Sequence, residues 1–296
     1  VLNIMSALRF LLPGVISQEE FHATSIHVQQ VAPGILMMAG LGGNIGVSYG
    51  KDATLMIDGQ FGPLAEKILA SIATYTNQPV QFLLNTHWHL DHVAANKVLS
   101  QQGITIMAHE EVRARMSVDQ SLPAFGCTVP AFPTEALPKI TFTENLHFDW
   151  NEEDIEIFHQ SGSHTDGDVM VHFKKGNVIH MGDIYFNGMY PLIDTDCGGS
   201  IDGMIRAVEE VLSRCNEQTK VIPGHGNLSD QSELEAYRDM MITVRDTVSS
   251  LIDQEMSLED IIDSKPTSSL DANWGGGVLD PDVFVQHIYT SITLCN

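Results

Sequence analysis

Basic residues are scarce in this 296-residue chain: 15 lysines and arginines stand against 38 acidic residues, a formal net charge of −23. A nucleic-acid backbone and an anionic membrane surface both require clustered Lys and Arg, so this balance argues against either as a partner. No run of about eighteen apolar residues occurs, so no membrane span is expected. Cysteine is sparse as well. Cys127, Cys197, Cys215 and Cys295 are scattered without a CxxC pair, which excludes a cysteine zinc knuckle and leaves disulfides undecided. The N-terminal "VLNIMSALRFLLPGVIS" has one arginine, an apolar run broken by Pro13 and Gly14, and no clear small-residue cleavage site, so it makes a poor signal peptide.

What is present is enough apolar material, 43%, to bury one substantial core. No low-complexity linker divides the chain. It reads as a single domain over 1–296, with an N-terminal extension over 1–30 and C-terminal helices over 231–296. Short apolar runs bounded by turn residues alternate with helical patterns, as in a layered α/β fold. Strands are predicted at "NIGVSYG", "ATLMID", "VQFLLNT", "ITIMAH", "DVMVHFK", "NVIHMGD" and "KVIPG", and helices near Pro63, His92, Ser200 and Ser229. In the last helix Leu234, Tyr237, Met241, Val244, Val248 and Leu251 form one apolar stripe, with a serine at its start suited to an N-cap. Its acidic opposite face reads as solvated surface.

The chemistry concentrates at strand ends. "LLNTHWHLDHVAAN" places His87, His89, Asp91 and His92 directly after an apolar strand. His87 and His89, two apart on extended chain, share a side and can pinch one cation. Asp91 and His92 open a helix and can face a second. Asp58 follows "ATLMI", His164 lies in "SGSHTDGD", Asp183 in "HMGDIYF" and His225 in "IPGHG". Ligands gather outside strand ends in open α/β sheets, so these segments can converge on one edge. Imidazole and carboxylate without thiolate suit zinc, and also iron or manganese. Taken singly, each of these histidines is better read as structural; together they are read as metal ligands. His109, His147, His159, His172, His180 and His287 lack a matching motif and are read as structural or surface residues.

In that order, Asp58, "HWHLDH", His164, Asp183 and His225 resemble the five motifs of the metallo-β-lactamase superfamily, over roughly residues 30 to 230. The resemblance implies a four-layer αβ/βα sandwich and two zinc ions. It assigns His87, His89 and His164 to the first metal, Asp91, His92 and His225 to the second, a bridge to Asp183 and a supporting place to Asp58. It implies a metal-bound hydroxide that opens a cyclic amide or ester, with Asp91 steering the proton to the leaving group. Phe61, in "DGQFGP", is read as a wall of the substrate cleft or as plain packing. Trp88 packs beneath the site or shapes it. Tyr190 and Ser200, flanking "PLIDTDCGG", line the pocket or make the turn into the next helix.

A histidine at position 89 favours hydrolysis over the redox chemistry of di-iron members, which usually carry a carboxylate there. An iron persulfide dioxygenase shares the motif and stays as a third reading. Asp183 departs from true β-lactamases and is similar to lactonases and thioester hydrolases such as hydroxyacylglutathione hydrolase. Two segments, "GGNIGVSYGKDATLMIDGQFGPLAEKI" and the ligand segment, look instead like β-lactamase-like secreted hydrolases, and the C-terminal third has no basic cluster to clamp an anionic glutathione conjugate. The expectation is a β-lactam-type dizinc hydrolase acting on a small molecule, periplasmic or secreted, with lactone or thioester hydrolysis as the alternative. Oligomeric state is left open.

Overall fold

A computed structural model describes residues 12, 14–123 and 126–294. Its centre is two sheets face to face. The first takes β1 (His27–Ala32), β2 (Ile35–Ala39), β3 (Ile45–Tyr49), β4 (Thr54–Ile57), β5 (Val80–Leu84), β6 (Thr105–His109) and then β9 (Ile140–Phe142). Between β6 and β9 a small hairpin forms from β7 (Gln120–Leu122) and β8 (Cys127–Val129). The second sheet runs in order through β10 (Leu146–Trp150), β11 (Glu153–His159), β12 (Val169–Phe173), β13 (Val178–His180), β14 (Lys220–Ile222) and β15 (Ser229–Asp230).

Alternate side chains of each strand face opposite ways, which sorts the apolar residues into layers. Ile35, Met37, Leu55, Ile57, Leu84 and Met107 of the first sheet meet Ile155, Ile157, Val171, Phe173 and Ile222 of the second. On the outer face of the first sheet Leu36, Met38, Met56, Leu83 and Ile106 pack against Ile68 and Ile72 of helix α2 (Ala65–Ile72), and against Leu99 of α4 (Asn96–Gln101). The outer face of the second sheet is covered by α6 (Ile201–Arg214), α7 (Gln231–Asp253) and α10 (Pro281–Leu294). The result is the expected αβ/βα sandwich. Shorter helices complete the order: α1 (Gln18–Ala23), α3 (Leu90–Val93), α5 (Glu110–Met116), α8 (Leu258–Asp263) and α9 (Asp271–Trp274).

All seven expected strands are present. The hairpin β1–β2 and the meander β10–β11 were not expected, because polar residues break the apolar pattern in "HVQQVA" and "LHFDW". One cap differs: Asp230, not Ser229, accepts from the amides of Ser232 and Glu233 at the start of α7. Ser229 instead ends the sheet, and its hydroxyl meets that of Tyr185 at 2.7 Å. Cys127, Cys197 and Cys215 are free thiols, and Cys295 lies outside the described residues.

Strand direction positions the site. β4, β5 and β6 run parallel, as do β13 and β14. Their carboxyl ends deliver Asp58, His87, Asp183 and His225 to one edge of the sandwich, and the turn into β12 brings His164 there from the second sheet.

Candidate metal centre

Each donor side chain is held at a strand end or helix start by backbone bonds. The amide of Asp58 donates to Leu84 O at 2.8 Å, tying the end of β4 to β5. His89 stands at the N-cap of α3, whose single turn projects Asp91 and His92. Gly182 amide donates to His180 Nδ1, and Gly224 amide donates to Gly182 O, holding the Asp183 and His225 turns together. Two glycines are sterically required here. A Cβ at Gly43 would run into the His92 imidazole, and one at Gly224 into the Asp183 carboxylate.

Donor atoms of His87, His89, His164 and Asp183 lie within 4.8 Å of one another, as do those of Asp91, His92 and His225. Asp183 stands between the sets. Its Oδ1 is 3.0 Å from His92 Nε2, while Oδ2 is 3.3 Å from His225 Nε2, 3.7 Å from His164 Nε2 and 3.8 Å from His87 Nε2. Asp91 Oδ2 is 3.2 Å from His225 Nε2. All seven side chains are buried except His225, which is 12% exposed and marks the open side.

Four imidazoles, those of His87, His89, His92 and His164, turn their second nitrogen to a protein partner. His92 Nδ1 pairs with Asp58 Oδ2 at 2.8 Å, and His89 Nε2 with Asp194 Oδ2 at 2.9 Å. His164 Nδ1 lies 2.8 Å from Leu192 O, and His87 Nδ1 lies 3.0 Å from Thr86 Oγ1. Such partners fix which ring nitrogen faces inward. Of the inward atoms, His89 Nδ1 and His164 Nε2 meet at 2.8 Å, but His87 Nε2, His92 Nε2, both carboxylate oxygens of Asp91 and Asp183 Oδ1 are buried without a well-directed hydrogen bond, despite the 3.0 Å approach of Asp183 Oδ1 to His92 Nε2. Unpaired buried polar atoms are costly. A cation in each donor set would satisfy them, so the residues fit two metal ions.

Electrostatics agree with that fit. Burial, helped by the neighbouring His92, pushes the His87 pKa well below the usual imidazole range. Burial opposes charge on His92 too, but Asp183, Asp91 and Asp58 outweigh it and hold its pKa well above that range. His225 is raised to about 9 in the same way, against burial, by Asp183 and Asp91. Asp183 is held well below the carboxylate range, against burial, by His92, His225 and His87. The surrounding carboxylates thus favour the protonated forms of His92 and His225 in the metal-free protein, and a metal requires both in the neutral form. Loading at pH 7 is expected to release protons, the His225 proton among them, with apparent affinity rising with pH up to at least about pH 9. Titration of metal into weakly buffered protein with a pH indicator measures this; pH-independent affinity without proton release contradicts it.

The other candidate side chains separate. Trp88 is 1% exposed, joins the core of the second sheet and sets its ring 4.8 Å from that of His89, so it packs beneath the ligand turn. Phe61 packs on Phe21 at 5.4 Å and, with Ile16, Leu90 and Ala94, lines a cavity of about 260 Å³. Tyr190 and Ser200 do not fit a pocket lining. Tyr190 is 1% exposed, stacks on Phe284 and spends its hydroxyl on Asp271 Oδ1 at 2.9 Å. Ser200 is the N-cap of α6, accepting from Gly203 amide and donating to Gly162 O. Among the histidines without a motif, His109 stacks on His159 at 3.7 Å, and His180 and His287 accept backbone amides. Asp194 is the residue that sequence reasoning missed. It lies in "PLIDTD", 105 positions from His89, and no spacing pattern joins them.

Residues 38–226 match the model of the Metallo-beta-lactamase superfamily. A hydroxyacylglutathione hydrolase of Pelagibacter ubique is 24% identical over 185 residues, which cover 60% of this chain and 64% of that relative, less than two thirds of its length. A metallo-beta-lactamase from Pontibacter korlensis superposes with a TM-score of 0.60 at 20% identity, covering 73% of this chain and 99% of that one. The stereoselective inverting sec-alkylsulfatase of a Pseudomonas species gives a TM-score of 0.64 at 14% identity, over 90% of this chain and 50% of that one. At these identities the two structures show a shared fold.

Proposed function

Because this chain belongs to the metallo-beta-lactamase superfamily, we propose that it is a dinuclear zinc hydrolase that opens β-lactam-type cyclic amides and, at the same centre, lactones or other esters. The observation that carries the two-metal reading is Asp183, whose carboxylate oxygens reach toward both donor sets. Two zinc ions held there would supply a water with its pKa lowered toward about 7 and an electrophile for the scissile carbonyl.

The chain's own residues do the rest. His87, His89 and His164 would hold one ion; Asp91, His92 and His225 would hold the other; Asp183 would join them. Asp58, Thr86, Asp194 and the Leu192 carbonyl lock the imidazole orientations. Asp91 Oδ2 lies 3.2 Å from His225 Nε2 while Oδ1 has no hydrogen-bond partner, so Oδ1 can take a proton from the attacking water and return it to the leaving atom. Phe61 would form an apolar wall for the substrate. A periplasmic or secreted location belongs to the same proposal and is checked by cell fractionation.

A second reading, thioester or lactone hydrolysis, is favoured by Asp183 itself. A further anionic ligand lowers the Lewis acidity available to a poor nitrogen leaving group, while an alkoxide or thiolate needs less help. The Pelagibacter relative's name points the same way. Against a glutathione conjugate, Arg238, Arg245 and Lys265 each hold a carboxylate within 2.9 Å, which leaves them poorly placed to clamp an anion.

Zinc-loaded protein is expected to turn over a chromogenic cephalosporin and a homoserine lactone, with both activities abolished by a chelator and falling together in His87→Ala and His225→Ala. Brisk hydrolysis of the lactone or of an acyl-glutathione thioester, with penicillins, cephalosporins and carbapenems untouched, makes the second reading the function. Elemental analysis giving one iron and no zinc moves the assignment to a dioxygenase.

A further inference from the structure

The loop between β2 and β3, "GLGGN" over 40–44, is stapled to the second donor set from two directions. Gly43 amide donates to Asp91 O at 3.3 Å, and the missing side chain at Gly43 is what lets the loop lie on the His92 ring. A Cβ at Gly42 would meet Asp91 O at 2.5 Å. At its far end the loop grips the His225 turn: Asn44 amide donates to Gly224 O at 2.7 Å, and Asn44 Nδ2 donates to Pro223 O and Gly226 O, each at 2.9 Å. One loop thus touches the chain at Asp91, at His92 and at the residues on either side of His225.

Two buried side chains fasten this loop from below: His180 Nε2 lies 3.3 Å from Asn44 O, and Gln60 holds Gly43. Gln60 is fully buried, and its Nε2 donates to Gly43 O at 2.6 Å. Gln60 sits at φ 55°, in the left-handed region that disfavours side chains with a Cβ, two residues after Asp58 at φ 62°. The turn carrying both is tied to the ligand helix, with Gly59 amide donating to His92 O and Ala95 amide donating to Gln60 O, each at 2.9 Å. Gln60 Oε1 faces Gly40 and has no hydrogen-bond partner. A strained backbone and an unsatisfied buried oxygen are both costs, and what they secure is the bond to Gly43 O.

We infer that Gln60 is a positioning residue for the second metal: its amide holds the 40–44 loop against Asp91 and His92, and through Asn44 the loop holds the His225 turn. This rests on the two-metal reading above. His87, His89 and His164 make no contact with Gln60 or Asn44 through these bonds, so the ion held by the three histidines should be affected least, although Asp183 is tied to the Gly224 turn.

The test is Gln60→Met, which keeps the length and neutrality of the side chain and removes the donor, with stepwise zinc affinities measured by competition against a chromophoric chelator. Cobalt-substituted protein gives a spectrum for each site as a second readout. The expected result is a second-ion affinity weakened by roughly 10- to 100-fold, as for other outer-sphere changes, with the first-ion affinity and its cobalt spectrum within about threefold of wild type. Asn44→Ala, which removes the Nδ2 donor at the other end of the loop without adding a charge, should repeat this selective loss and decides the matter should Gln60→Met fail to fold. Unchanged affinities, or affinities for both ions falling in parallel, overturn the inference. Wild-type protein that takes up only one ion overturns the two-metal reading instead, so the two failures are distinguishable.

Discussion

Asp183→Asn is expected to lose the second metal ion and most hydrolytic turnover while keeping its fold. The carboxylate lies among His87, His92, His164 and His225, with oxygens between 3.0 and 3.8 Å from their inward nitrogens. An anion at that point offsets the repulsion between two dications, and each oxygen can accept. Asparagine keeps the volume but presents an N–H group to one donor set and carries no charge. Loss of an outer-sphere partner already costs roughly 10- to 100-fold in affinity or activity; a bridging group should cost at least as much. Metal analysis after exhaustive dialysis and turnover under zinc saturation measure the two effects, with circular dichroism to confirm folding. Wild-type stoichiometry together with wild-type turnover contradicts the bridging assignment.

Asp58→Ala should produce the largest loss of stability. Asp58 and His92 are both fully buried. Asp58 Oδ1 accepts the Thr86 amide at 2.8 Å, while Oδ2 accepts the Thr86 hydroxyl at 2.7 Å and pairs with His92 Nδ1 at 2.8 Å. Alanine removes three bonds at once and leaves the Thr86 and His92 donors stranded. Breaking a buried ionic pair by deleting one partner costs about 3–5 kcal/mol, a large share of the roughly 5–15 kcal/mol that a domain has. The left-handed backbone at φ 62° adds strain for alanine, whereas asparagine tolerates it better and can still accept from Thr86. Asp58→Asn should therefore lose less. Urea unfolding of chelator-treated protein separates this effect from metal binding. A destabilisation under about 1 kcal/mol, the ordinary size for a single substitution, shows that the hydrogen-bonded hub is not what holds this edge together.

The inner donors were legible because metal chemistry restricts residue types and because strands have direction. His87, Asp183 and His225 each follow a short apolar run in the sequence, and the parallel pairings β4–β5 and β13–β14 bring those ends together. A layered α/β fold was legible because continuous apolar runs such as β4 and β13 require a cover on both faces; the order of the four layers was implied by the family resemblance.

The partners behind the donors were not legible. Asp194, Leu192 and Gln60 belong to loops with no periodicity, and two of them look like ordinary turn residues. Tyr190 and Ser200 seemed available for substrate because their neighbours are glycine-rich, yet α10 covers the first through Phe284 and α6 takes the second as its cap. The chain's order of histidines and aspartates determines which side chains can ligate, since donor chemistry belongs to residue type. Tertiary packing alone decides which carboxylate stands behind His89, which loop rests on His92 and which polar residues are consumed by structure. Those outcomes depend on contacts between segments as far as 182 residues apart, whose distance and orientation exist only once both sheets have packed.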